Sequence, residues 1–166
     1  MGILLVLLRL LHIVAAVGWF ALSGSLVLFI LPSAVAASET GFRYLKGLFT
    51  RTGYARAIAP VAGTTTLAGI LLYLVGGGRF GPTGSIVLGI GALAGLAATI
   101  HGGAIVGRST NAFVKSLASL PEGGGAIASA TLTDLNTQAT KLLSEARISF
   151  ALMIVALVCM GSARYL

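Results

Sequence analysis

Two imidazoles stand in stretches that hold almost no other polar group. His12 sits between Leu10-Leu11 and Ile13-Val14-Ala15-Ala16, and His101 between Ala97-Ala98-Thr99-Ile100 and Gly102-Gly103. An imidazole in such a place does one of two things. It ligates a metal (haem iron, the magnesium of a chlorophyll, or copper), or it hydrogen-bonds to a hydroxyl or carbonyl and ties helices together. Cys159 and Met160 are soft donors to weigh beside His12, because the last apolar segment brings them close to its level when counted from the outer end. A His–Met–Cys set suits Cu(I), and His with Met suits haem. Cys159 is the only cysteine. It forms no internal disulfide, and its other reading is a small apolar packing residue.

Other chemistry has no residues to rest on. The chain has no HExxH, no GxSxG and no phosphate loop ending in GK[ST]. All four acidic residues, Glu39, Glu122, Asp134 and Glu145, fall in the polar connections between apolar segments. A proton pump or cation transporter keeps an ionisable carboxylate at membrane depth, so this distribution speaks against both. The expectation is a protein that is not an enzyme. A small transporter stays as an alternative, although the chain has no intramembrane charge pair or broken helix to line a path.

The elements that must position these residues are membrane spans. Only 9% of the 166 residues are charged, and the mean hydropathy is +1.00. A soluble domain carries about a quarter charged residues, so this chain cannot cover a surface facing water. Four apolar segments run over about 3–31, 58–75, 84–106 and 148–163, each near the length that crosses about 30 Å of hydrocarbon. Pro32 ends the first and Gly76-Gly77-Gly78 the second, while the turn Arg79-Phe80-Gly81-Pro82-Thr83 leads into the third. The first is longer than a signal peptide's apolar core and lacks a basic lead, so it is read as a retained helix. The expected fold is all-α: an integral membrane four-helix bundle, one domain over 1–166, lying in a lipid bilayer.

The net charge of +7 follows membrane topology rather than nucleic acid, since no stretch alternates basic with aromatic residues as an RNA- or DNA-binding surface does. Arg43, Lys46, Arg51, Arg56, Arg108, Lys115, Lys141 and Arg147 lie in the loops 32–57 and 107–147; Arg9, Arg79 and Arg164 lie on the other side. Eight against three places those loops in the cytoplasm of a bacterial inner membrane, with both termini outside. The segment Arg43–Arg56 reads as an amphipathic helix at the lipid headgroups. The third span continues as helix to Leu120, where Pro121-Glu122-Gly123-Gly124-Gly125 breaks it. A second helix returns from about Ala126, giving a cytoplasmic helical hairpin between spans three and four. Phe113, Leu117 and Leu120 would face Leu132, Leu135 and Leu142.

Spacing adds three expectations inside the bundle. Arg9, His12, Ala16, Trp19 and Ser23 fall on one helix face, which should look inward, with Trp19 in the core and its N–H bonded to a neighbouring helix. Gly91-xxx-Gly95 and Gly103-xxx-Gly107 are small-xxx-small pairs that pack in the bundle or against a partner helix. His12 and His101 differ in depth by on the order of 12 Å on parallel spans, too far to clamp one haem. They are read as separate sites, with Thr64, Thr65, Thr66, Ser23, Ser25 and Met153 level with His101.

The segment Leu10-Leu11-His12-Ile13-Val14-Ala15-Ala16-Val17-Gly18-Trp19 resembles the opening helix of the copper-resistance D (CopD-like) membrane proteins and their small four-helix relatives. In these a histidine is followed seven residues later by tryptophan. The ending Met160-Gly161-Ser162-Ala163-Arg164-Tyr165-Leu166 is similar to that of many such small proteins, as is the charged hairpin before the last span. The resemblance implies a four-helix fold, a role for His12 and Trp19, and an association with copper uptake or haem biosynthesis. Two functions are therefore expected. One is a non-enzymatic accessory subunit that packs against other transmembrane subunits of an electron-transfer or photosynthetic complex. The other is a haem-, chlorophyll- or copper-binding membrane protein.

Overall fold

In the computed structural model, residues 2–76, 81–121 and 125–166 are described. The expected stop at Gly77 and Gly78, the turn residues Arg79 and Phe80, and Glu122, Gly123 and Gly124 of the expected helix break lie outside them. Every regular element among the described residues is helical: α1 Ile3–Ser25, α2 Leu31–Ala36, α3 Ser38–Arg51, α4 Tyr54–Gly76, α5 Pro82–His101, α6 Gly107–Ala118 and α7 Ser129–Ser162. Single π-helical turns, Leu26–Ile30 and Gly102–Val106, join α1 to α2 and α5 to α6. Four continuous helices result, Ile3–Ala36, Tyr54–Val75, Pro82–Ala118 and Ser129–Tyr165, each long and apolar enough to cross a bilayer. Their outward side chains are apolar, with Leu4 and Leu74 each 75% exposed. Such a surface suits lipid and not water.

The first span does not end at Pro32, as the sequence suggested. Proline lacks the N–H for an i→i−4 bond and crowds the carbonyl four residues before it. Here the turn ahead of it widens: the Leu31 N–H reaches back five residues to Leu26 O. This π-turn absorbs the proline, and the helix runs on to Ala36. Pro60 lies inside α4 in its second turn, and Pro82 opens α5, where its missing N–H costs nothing.

Two cores stack along the molecule. In the first, Phe42, Leu45 and Phe49 of α3 meet Phe113 and Leu117 of α6, Leu135, Ala139 and Leu142 of α7, and Leu26, Leu31 and Ala34 of the first span. The Phe113 ring takes Phe42 and Phe49 edge-on at 6.3 and 6.4 Å between centroids. Leu120 and the half-buried Leu132 join them, so the expected hairpin packing forms. The role expected of α3 is corrected, however. Its apolar face does not lie on headgroups but covers the hairpin, making a three-helix head, because Phe42, Leu45 and Phe49 recur on the one stripe that the hairpin leaves open.

Close backbone contact fixes the corner into this head. Gly41 is buried, and a Cβ there would fall 2.0 Å from Ala34 O. Ser38 takes φ 51° and Gly53 φ 70° to turn the chain into and out of α3. Arg43 bridges to Glu39 at 2.8 Å and donates to Pro121 O and Gly125 O. Lys46 donates to Leu120 O at 2.6 Å. Both cations cap the carbonyl end of α6 and hold the α6–α7 connection.

The second core lies within the apolar lengths of the helices: Trp19, Val27, Ala98, Ala146, Phe150 and Met153. Here α1 packs antiparallel on α4, and α5 on α7, with small residues at the contacts. Gly18 faces Val61, Gly24 faces the Phe150 ring, and Gly95 faces Ala156 and Met160.

Candidate functional site

His12 lies half-buried between α1 and α4, and its Nδ1 stands 2.8 Å from Thr65 O. A carbonyl oxygen only accepts, so Nδ1 carries the proton and donates it. The tautomer is thereby fixed, and Nε2 keeps its lone pair. Nε2 has no hydrogen-bond partner among the described residues and is not sealed from the surface. Gly69 makes this seat. It lies one turn beyond Thr65 on α4, and a Cβ at Gly69 would come within 2.9 Å of His12 Cε1 and 3.2 Å of Nδ1. Only a residue without a side chain lets the ring lie against the helix and reach the carbonyl beneath it.

His101 is held differently. It closes α5, where the following π-turn begins, and its Nδ1 lies 2.8 Å from Ser149 Oγ of α7. A hydroxyl both donates and accepts, so this contact leaves the tautomer of His101 open. Ser149 is itself buried.

The two histidines belong to different helix pairs, and α4 stands between them. Thr65 and Thr66 are adjacent on α4: the first gives its carbonyl to His12, and the second bonds Thr99 of α5 at 2.7 Å. Thr99 donates onward to Gly95 O at 3.0 Å, so the proton between the two threonines comes from Thr66. Thr66 bonds Thr99 two residues before His101, so the threonines do lie near the level of His101, and the neighbouring Thr65 also serves His12. The two imidazoles therefore differ in depth by less than the sequence suggested, and it is their different helix pairs that separate them.

The soft donors expected near His12 pack elsewhere. Cys159 and Met160 lie against α5, where a Cβ at buried Gly91 would come 3.0 Å from Cys159 Cβ and 2.9 Å from Met160 Cγ. Among the described residues, no three of His, Cys, Asp and Glu gather as a metal site. The glycine pairs divide: Gly91 and Gly95 meet α7, Gly107 approaches only Gly102 O of its own chain, and Gly103 is exposed with open space before it. Gly103 therefore does not pack inside the bundle. Trp19 is 7% exposed in the second core, but its indole N–H meets no acceptor among the described residues.

Sequence reasoning missed three partners. Gly69 was one glycine among 23; its signal was a position four residues after Thr65. Ser149 stands one turn before Met153 on the face that meets α5. Tyr54, expected on an interfacial helix, donates to Leu22 O or to Ser25 Oγ, both at 2.7 Å, and so fastens the start of α4 to α1.

Comparisons with known proteins add no identity to this geometry: no family model, no curated protein and no solved structure matches the chain.

Proposed function

We propose that the chain is a non-enzymatic membrane protein that holds the metal of a tetrapyrrole, haem or chlorophyll, on His12. One observation carries the reading: the His12 ring donates Nδ1–H to a backbone carbonyl and leaves Nε2 without a hydrogen-bond partner among the described residues. Ligating histidines are held in this way, with the second nitrogen donating to a carbonyl or carboxylate that fixes the ring and raises its basicity. The donor set selects among the metals. Bare Cu(I) requires two or more soft ligands, whereas Cys159 and Met160 lie against Gly91 of α5. A tetrapyrrole brings four nitrogens of its own, so one imidazole suffices. The bound ring would supply redox or light-absorbing chemistry; the protein supplies one axial nitrogen, its orientation by Thr65, and an apolar setting. The CopD-like opening helix points to the same residue. Visible absorption and metal analysis of the purified protein test the reading. A haem or chlorophyll band is expected, and a colourless preparation that takes up neither would overturn it.

A second reading, an accessory subunit of a larger inner-membrane complex, draws on the outward face of α5 and its π-turn. Ile100 and Ile105 are exposed there, and nothing lies over Gly103. Purification in mild detergent should then bring other transmembrane subunits with it; recovery only as a free monomer counts against the reading. In both readings the head lies in the bacterial cytoplasm with the termini outside, supported by the eight cations at its end of the molecule.

A further inference from the structure

Three arginines without a counter-ion among the described residues flank one level of the molecule. Ile58 of α4, Val106 of the π-turn after α5, and Leu143 of α7 each pack against both cores, so together they mark the level where the membrane core meets the head. Arg56 and Arg108 lie two residues to the head side of Ile58 and Val106, Arg147 lies four residues to the membrane side of Leu143, and all three are exposed. None has a hydrogen bond or ion pair among the described residues. The described acids of the head are used elsewhere: Glu39 by Arg43, Asp134 by the Gln138 amide, and Glu145 by Lys141 at 4.0 Å. On the membrane side, exposed Ile105 and Ile148 follow almost at once. Each guanidinium therefore belongs to a residue within about 6 Å of that level, at 1.5 Å per residue, and has five donors and no acceptor among the described residues.

We propose that Arg56, Arg108 and Arg147 bind the headgroup phosphates of anionic phospholipids. A phosphate diester at that depth offers two oxygens to the planar fork of an arginine, and its negative charge supplies the missing counter-ion. Lipid is the source because the arginines border the apolar surface on which acyl chains lie. The three lie toward one end of the molecule only. At the other end Arg164 lies over the Tyr165 ring, 5.1 Å from its centroid, and Arg9 stands without an arginine partner at its level among the described residues. Anionic lipid is thus bound from the leaflet that faces the head.

The test titrates the full chain in neutral detergent with phosphatidylglycerol or phosphatidylcholine and counts bound lipid by native mass spectrometry. Phosphatidylglycerol is expected to be retained in preference. R56Q, R108Q and R147Q should each weaken its binding about fivefold, and the triple variant by more than fiftyfold. K115Q, nine residues past Val106 and further out on the head, should leave it unchanged. Equal retention of the two lipids would overturn the proposal, as would single variants that behave like K115Q. Displacement of phosphatidylglycerol by inorganic phosphate at the same concentration would overturn the lipid assignment. If the triple variant fails to fold, the three single variants decide.

Discussion

At the scale of single residues, the account rests on which nitrogen of His12 holds the proton. The Thr65 carbonyl requires Nδ1–H, so nitrogen NMR of the ligand-free protein should show His12 protonated at Nδ1 and bare at Nε2; the opposite tautomer would remove the basis for a ligand role. Gly69 is the sharper probe. Gly69→Ala places a methyl within 2.9 Å of the ring, which must then leave the carbonyl. Tetrapyrrole affinity should fall roughly tenfold to a hundredfold, the usual effect of losing a ligand's orienting partner, while the helical content stays as it was. For His101 the expected effect is structural. Ser149→Ala removes its hydroxyl and should cost about 0.6–1.7 kcal/mol in a membrane denaturation assay, with no change in ligand affinity. How much of this was legible beforehand follows from the chemistry. An imidazole among leucines and valines declares itself, and the expected face looks inward from His12 to Ser23, although Arg9 at its outer end is exposed. What His12 bonds to was not legible, because its partner is a backbone carbonyl and the residue that exposes it is a glycine. Neither carries a side-chain signal.

At the scale of elements, two kinds of packing divide the molecule, and each follows from its surroundings. In the head the driving force is removal of apolar surface from water, so the core uses large side chains: Phe42, Phe49, Phe113, Leu45, Leu117, Leu135 and Leu142 are at most 2% exposed. Each contributes about 1.5–3 kcal/mol by burial, and Phe113→Ala should destabilise the head by about 3–5 kcal/mol, read as loss of hydrogen-exchange protection in α3, α6 and the first half of α7. Between the spans lipid is as apolar as leucine, so close approach and polar ties take over. That is why Gly24, Gly91, Ala98 and Ala156 line those contacts, and why Thr66–Thr99 and Ser25–Tyr54 bridge them. Gly41→Ala tests the corner between the two regions. A methyl 2.0 Å from Ala34 O cannot be accommodated without moving backbone, so α3 should detach from the hairpin and become open to protease. Span lengths were legible from hydropathy alone. The π-turns were not: a proline predicts a stop, and only the surrounding packing shows that the helix can widen and continue.

At the scale of the whole molecule, the chain is a bundle of four long helices carrying a compact head at one end. The α7 helix alone is 34 residues long, about 51 Å at 1.5 Å per residue, well beyond the hydrocarbon thickness, so its polar first half stands outside. The proposed orientation, with the head in the cytoplasm, rests on charge. In a Cys159→Ala background, Ser129→Cys on the head should resist a membrane-impermeant thiol reagent in intact cells, and Thr83→Cys at the opposite end should react; the reverse pattern would invert the topology. The most direct measurement of the central claim is a haem titration of the purified chain beside its His12→Ala variant, followed by visible absorption. Saturation is expected near one haem per chain, with a histidine-ligated Soret band that His12→Ala abolishes and Ser149→Ala leaves intact. An unchanged spectrum in the His12→Ala variant would contradict it.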